Sequence, residues 1–464
     1  MNRRISLTLG VLLAMPAAGA EDLLAVYQRA LSNDPQIREA DANRRAAMEA
    51  KPQALAALLP QVSGTYSYDK DKSDGSSVRS FVLNGVITPS DSSGENDSTT
   101  KRWSVDLRQN LFSWSNWVAL KRASRQVAQA EADFASAEQD LIVRVAERYF
   151  DVLAGQDNVD AQQSAFEAIA RQLEQAEKRF EVGLIAITDV QEAKAARDSA
   201  AASVIAAKRQ LASTEELLRE ITAERYPRLA KPGDAMPLRT PEPATEQEWV
   251  NASLEQNLAL ISSRLAADIA RDNVRSAFGG HLPTVDLVAG RSNTTQESEL
   301  VLDRGGVSSG DSDQDGNSVG VQVNVPIFAG GGTQSRVRQS EYQWMAARER
   351  LTRVTRQTER QARDAFLGVN SEISRVQALR QALESSQTAL KATEAGYEVG
   401  TRTAVDVLDA RRALVQAQTN YSRSRYDYIL NVLRLKQAAG NLDRKTLEEV
   451  NGWLAEVAPP APAQ

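Results

Sequence analysis

The sequence predicts a mainly α-helical chain with a β-barrel part: a long coiled-coil tunnel carrying four β-strands, built as a twofold internal repeat. Three observations predict it. Helical periodicity runs almost unbroken through residues 115–180 and again through 333–397, far longer than helices of ordinary globular domains. Short segments of strict alternation precede each of these stretches. The order of elements then occurs twice, at a spacing of a little over two hundred residues.

Taken in order, the chain opens with Arg3 and Arg4, an apolar run L-T-L-G-V-L-L-A-M and A-G-A before Glu21. This reads as a secretory signal peptide cleaved after Ala20, since the run is too short for a membrane-spanning helix. Removing two arginines from the 55 basic residues leaves 53 against 61 acidic ones, a mature charge of −8. That excess argues against nucleic acid as a partner. The chain has no cysteine, which excludes disulfides, thiol chemistry and lipid attachment at the cleavage site.

The expected division is 1–20 signal peptide, 21–225 first repeat, 226–245 Pro-rich connection, 246–440 second repeat, and 441–464 a C-terminal segment ending in a disordered Pro/Ala tail. Each repeat begins with helical patterns, 22–57 and 246–279. Two short strand patterns come next, joined by a polar Gly/Ser/Asp-rich loop. In the first copy Val62, Gly64, Tyr66 and Tyr68 alternate with polar residues, as do Trp103, Val105, Leu107 and Leu111; in the second, Val319, Val321, Val323 and Val325 do so. Ten-residue alternation between polar loops is the pattern of an outer-membrane barrel. Phe112, Trp114 and Trp117, at the end of the second strand, suit the aromatic girdle at the membrane interface. Loops 70–100 and 295–316 are then expected outside the cell.

Next come the long helices. Leu141, Val145, Tyr149 and Val152 form one row and Ile142, Ala146, Phe150 and Leu153 the next, so a broad face is buried. At 1.5 Å per residue each helix would reach about 95–100 Å. A Gly-containing turn and a helix of about 35 residues complete each copy.

Four strands cannot close a membrane barrel, because the smallest have about eight and open edges in lipid leave backbone groups unpaired. The barrel must be shared, and three chains give twelve strands.

The repeat is sharpest at the turns. R-F-E-V-G-L-I-A-I-T-D-V-Q-E-A (179–193) matches G-Y-E-V-G-T-R-T-A-V-D-V-L-D-A (396–410), with Gly183 and Gly400 as the turn glycines. Asp406 and Asp409 lie three apart on one helical face, where like charges repel, and no local reason for them is evident. Elsewhere, D-S-D-Q-D-G-N (311–317) imitates an EF-hand loop but lacks its glutamate. G-G-G (330–332) lacks the Lys-Ser/Thr of a phosphate loop and reads as the strand-to-helix turn. One histidine, His281, and no cysteine leave no basis for a metal centre or a His-based triad. No cofactor and no enzymatic activity are expected.

On these two turn motifs, and over essentially the whole mature chain, the sequence resembles the TolC family of trimeric outer-membrane channel-tunnels. The resemblance implies a 12-stranded barrel closed only as a homotrimer, a 12-helix periplasmic tunnel, and an equatorial domain. It implies an exit duct for type I protein secretion or drug efflux in the outer membrane, extending into the periplasm. Its partners would be outer-membrane lipid, a periplasmic adaptor and an inner-membrane ABC or proton-driven transporter. It also implies that Asp406 and Asp409 line the periplasmic constriction as a selectivity ring, and that Thr188, Asp189, Tyr397 and Arg402 hold it shut. The lack of a lipidation cysteine departs from the family's lipoprotein branch. A trimeric coiled-coil protein with a structural or adhesive role is the alternative; it has no use for paired hairpin turns.

Overall fold

The computed structural model describes residues 20–83, 85–233, 236–302 and 305–455. The expected signal peptide, apart from Ala20, and the Pro/Ala tail lie outside the described residues. In chain order the elements are α1 (Leu23–Asn33), α2 (Pro35–Met48), α3 (Ala50–Ala56), β1 (Gln61–Leu83), β2 (Val86–Phe112), α4 (Trp114–Glu181) and α5 (Ile187–Thr222). Then come β3 (Lys231–Pro232), α6 (Glu246–Gln256), α7 (Leu258–Phe278), β4 (Thr284–Leu302), β5 (Gly306–Asn324), α8 (Gly332–Glu398), α9 (Ala404–Ala438), α10 (Arg444–Asn451) and β6 (Leu454–Ala455).

The first helical pattern of each copy is divided. Asp34 accepts from the Gln36 N–H at 3.1 Å, ahead of Pro35 at the first position of α2. Asn257 plays the same part for α7, accepting from the Leu260 N–H at 3.0 Å. A side-chain acceptor before the first turn satisfies an orphan donor there and starts a new helix. α1 and α6, each of 11 residues, are therefore separate helices from α2 and α7.

Residues 45–130 and 264–350 form one compact unit, and those up to Arg44 with 131–263 and 351 onward form another. Each unit takes one segment set from each copy of the repeat. The first holds a four-stranded antiparallel sheet in the order β1-β2-β4-β5, with β1 and β5 as its open edges. The register aligns Val62, Leu107, Ala289 and Val319 on one face, with Val321 and Leu287 beside them. Val62, Val319 and Val321 are exposed in the single chain at 67%, 82% and 61%, an apolar band with no cover in the chain. On the opposite face Asp286 is buried, and it accepts from Arg108 at 2.6 Å and Asn110 at 2.9 Å. One apolar face and one polar face is the arrangement of a membrane barrel wall.

The strands correct the sequence reading. The expected loops 70–100 and 295–316 are largely strand: β1 and β2 pair continuously from Gln61↔Arg108 out to Leu83↔Val86. β4 and β5 likewise pair from Thr284↔Asn324 to Leu302↔Gly306. Beyond the apolar band, residues 69–76 and 93–100 are Asp, Lys, Ser, Gly, Glu, Asn and Thr on both faces, so alternation ends while the backbone ladder continues. A ladder held by main-chain hydrogen bonds needs no apolar face in water, and hydropathy cannot report it. Asp311, Asp313 and Asp315 of the EF-hand-like run sit in β5, with Asn293 donating to Asp313 and Asp315. Gly330 and Gly331, at φ +59° and +79°, turn the chain from β5 into α8.

In the second unit the core gathers around Tyr149 and Phe150 of α4 and Tyr426 of α9. The Phe150 ring stacks on Tyr426 at 5.5 Å and meets Tyr149 edge-on at 5.4 Å, and Tyr149 and Phe150 are fully buried. The Pro-rich connection is tied in rather than merely extended. Glu21 bridges Leu229, β3 pairs with β6, and the Tyr149 hydroxyl donates to the Ala230 carbonyl at 2.7 Å. The C-terminal segment adds α10, whose first turn is capped by Asp443 accepting from the Thr446 N–H at 2.9 Å. Among the described residues no helix is long and apolar enough to cross a membrane.

Candidate functional site

Both long helices end in left-handed glycines, Gly183 at φ +77° and Gly400 at φ +80°, a conformation that a Cβ disfavours. The next N–H groups return to the last turn: Leu184 to the Arg179 carbonyl at 2.9 Å, and Thr401 to that of Gly396 at 2.8 Å. This closure satisfies orphan carbonyls and reverses the chain. The partner helices then start differently. α9 opens on a reciprocal capping box: Thr403 Oγ1 accepts from the Asp406 N–H at 3.2 Å, and Asp406 accepts from the Thr403 N–H at 2.9 Å. α5 has Ala186 at the equivalent place and no side-chain cap.

This corrects one reading of the sequence. Asp406 does have a local reason to be acidic, and T-x-x-D at a helix start was its signal. The two hydrogen bonds from Thr403, with Arg402 nearby, hold its carboxyl below the usual carboxylate range. Asp409 is exposed and pairs with Arg412 at 3.1 Å, one turn on.

The two turns share a cleft of about 710 Å³ whose wall includes Arg179, Asp189, Tyr397 and Arg402. Three of the four residues expected to hold a gate thus meet in one chain; Thr188 is exposed beside them. Arg402 makes no ion pair with Asp189 in the chain among the described residues. Instead the Arg179 guanidinium lies over the Tyr397 ring, 5.4 Å from its centre, and ties α4 to α8. Arg179 was missed from sequence, although the repeat itself sets R-F (179–180) opposite G-Y (396–397). A second tie, Arg411 of α9 to Glu394 of α8, secures the second hairpin. Phe112 ends β2, and Trp114 and Trp117 stand exposed in the first turn of α4. Among the described residues no cluster of His, Cys, Asp and Glu fits a metal ion.

The family model for outer membrane efflux proteins matches residues 26–224 and 249–441, one match per repeat. The chain belongs to this family. It is 38% identical over 450 residues to the outer membrane protein TolC of Vibrio cholerae, covering 97% of each chain. It is 30% identical to the alkaline protease secretion protein AprF of Pseudomonas aeruginosa, over 95% of this chain and 89% of that one. The solved structure of CusC, described in terms of folding and transmembrane channel formation, superposes with TM-score 0.73 at 17% identity, over 92% of this chain and 95% of that one. Family membership makes the chain an outer-membrane channel protein and not an enzyme, reaching from the outer membrane into the periplasm. The open edges of its four-stranded sheet close in the family's trimer, as twelve strands.

Proposed function

We propose that this chain is the exit duct of tripartite export systems, used for type I protein secretion and for drug efflux, with a gate at its periplasmic hairpin tips. The observation that carries the gate is the shared cleft, which sets Asp189, Tyr397 and Arg402 of two sequence-distant turns on one wall. The repeats 21–225 and 246–440 each supply one tip, so three chains supply six. Asp406 and Asp409 form an acidic ring there, which concentrates cations and repels anions. Arg402 has no ion pair in its own chain among the described residues, and it locks the tip through a neighbouring hairpin. Phe112, Trp114 and Trp117 sit at the membrane interface. The chain carries no nucleotide-binding motif, so an inner-membrane transporter, ABC or proton-driven, supplies the energy and a periplasmic adaptor joins the two. The relative named for alkaline protease secretion supports the protein-export role.

The test is removal of the chain from cells that keep transporter and adaptor. Export of both a secreted protease and a pump substrate should stop and return on re-expression. Unchanged export of both would refute the reading.

A further inference from the structure

The two tip turns match position for position in sequence, yet their helices start differently. Gly183, Ala186 and Asp189 stand where the second copy has Gly400, Thr403 and Asp406. The backbone ahead of the two helices is alike: Ala186 has φ −77° and ψ 154°, and Thr403 has φ −91° and ψ 163°. A side-chain hydroxyl separates them. In the second copy Asp406 Oδ2 accepts from the Thr403 N–H at 2.9 Å and from its hydroxyl at 3.0 Å, while the Asp406 N–H donates back to Thr403 Oγ1 at 3.2 Å. In the first copy the Asp189 N–H donates instead to the Ala186 carbonyl, at 3.2 Å.

The consequence falls on the carboxylates. Asp406 is drawn back onto the start of its own helix. Asp189, half-buried in the cleft that Arg402 also lines, has no side-chain hydrogen bond or ion pair among the described residues. Its place is already that of the acid in a capping box, three residues after an exposed N-cap, and only the N-cap acceptor is missing. Alanine is a poor N-cap residue, so α5 forgoes helix stability here. Departures from local preference of this kind are expected at functional positions.

We propose that Ala186 is a positioning residue of the gate: the missing hydroxyl at this N-cap keeps the Asp189 carboxylate free to take Arg402 of a neighbouring hairpin. Thr403 does the reverse, holding Asp406 to its own helix. The two repeats thereby take different parts, one tip giving the acceptor of the lock and the other the acidic ring. A capping box and an arginine compete for one carboxylate. A hydroxyl at position 186 therefore weakens the lock by the stability of the box, about fivefold per chain.

This inference rests on the proposed gate, and the experiment separates the two. Full-length trimers carrying Ala186→Thr or the smaller Ala186→Ser are compared with Ala186→Val, which has the bulk of threonine and no acceptor. In planar bilayers the two hydroxyl variants should raise the open probability about fivefold or more, and the valine variant less than either. Hydrogen exchange at the start of α5 should slow in the hydroxyl variants alone, because their oxygens accept from the Asp189 N–H. In an Arg402→Ser background, already unlocked, Ala186→Thr should add little. Slowed exchange without opening overturns the inference, as does unchanged exchange in both hydroxyl variants or a valine variant that opens equally. Full additivity with Arg402→Ser also overturns it, because Arg402 would then be held by Glu192 or Glu398 of the same cleft. If Arg402→Ser by itself fails to open the channel, the gate reading falls, and this inference falls with it.

Discussion

Replacing Tyr397 separates two ways of holding the tips closed. Its ring lies under the Arg179 guanidinium at 5.4 Å, and both residues are half-buried. A cation–π contact at such a site contributes about 0.5–1 kcal/mol, and a hydrogen bond from the hydroxyl to a neighbouring hairpin would add about 1 kcal/mol. Tyr397→Phe keeps the ring and loses only the hydroxyl; Tyr397→Leu loses both. Each chain then loses about 1 kcal/mol with Phe and up to about 2 kcal/mol with Leu. The trimer holds three copies, so a concerted opening feels about 3 and up to about 6 kcal/mol. At 1.4 kcal/mol per tenfold, Phe alone should raise the open population about a hundredfold, and Leu further. Single-channel recording in planar bilayers reads this as a rise in open probability and mean conductance. An open population raised only about fivefold would mean that the three tips move independently. Closed channels of wild-type conductance in both variants would refute a role for Tyr397 in closure.

The acidic ring is tested by replacing Asp406 and Asp409 together with Asn and, separately, with Ala. Either pair should abolish block by multivalent cations from the periplasmic side, but only the Ala pair should also speed hydrogen exchange in the first turn of α9, because Asn can still cap Thr403; block of unchanged affinity would remove these residues from the pore. Tyr149→Phe takes the donor from the buried Ala230 carbonyl and should cost about 1–3 kcal/mol of stability per chain in denaturant titration, with no change in conductance. Glu372 is buried and its pKa is raised, first by desolvation. Its folded pKa therefore exceeds the unfolded one, and its ionised form destabilises the fold increasingly as pH rises through that folded value. Glu372→Gln should raise the melting temperature at pH 7 to 8, with the gain fading as pH falls toward 4. An equal gain at both ends would assign the effect to packing.

Much of this architecture was legible because it repeats. The long helices announce themselves through rows such as Ile142, Ala146, Phe150 and Leu153, and the structure starts and ends them within a residue or two of the periodicity. The membrane band was equally plain, since alternation at Val62 to Tyr68 and Val319 to Val325 reports burial of one face. The turns were fixed by Gly183 and Gly400, where a left-handed backbone leaves glycine as the ready choice. What the sequence by itself determined is therefore whatever burial or backbone sterics impose at a regular spacing.

Tertiary structure decided the rest. Across residues 69–76 and 93–100 both faces of β1 and β2 carry polar residues and glycine and leave no alternation, so only the pairing from Asp69↔Thr100 to Leu83↔Val86 shows that the strands continue. The Tyr149 hydroxyl closing on Ala230, and Arg179 over Tyr397, join residues 81 and 218 positions apart in sequence. Such contacts depend on one geometry between elements rather than on a period within one. Asp406 stands between the two cases: its capping box was written in four consecutive residues, whereas the ring to which it would belong exists only when three chains meet.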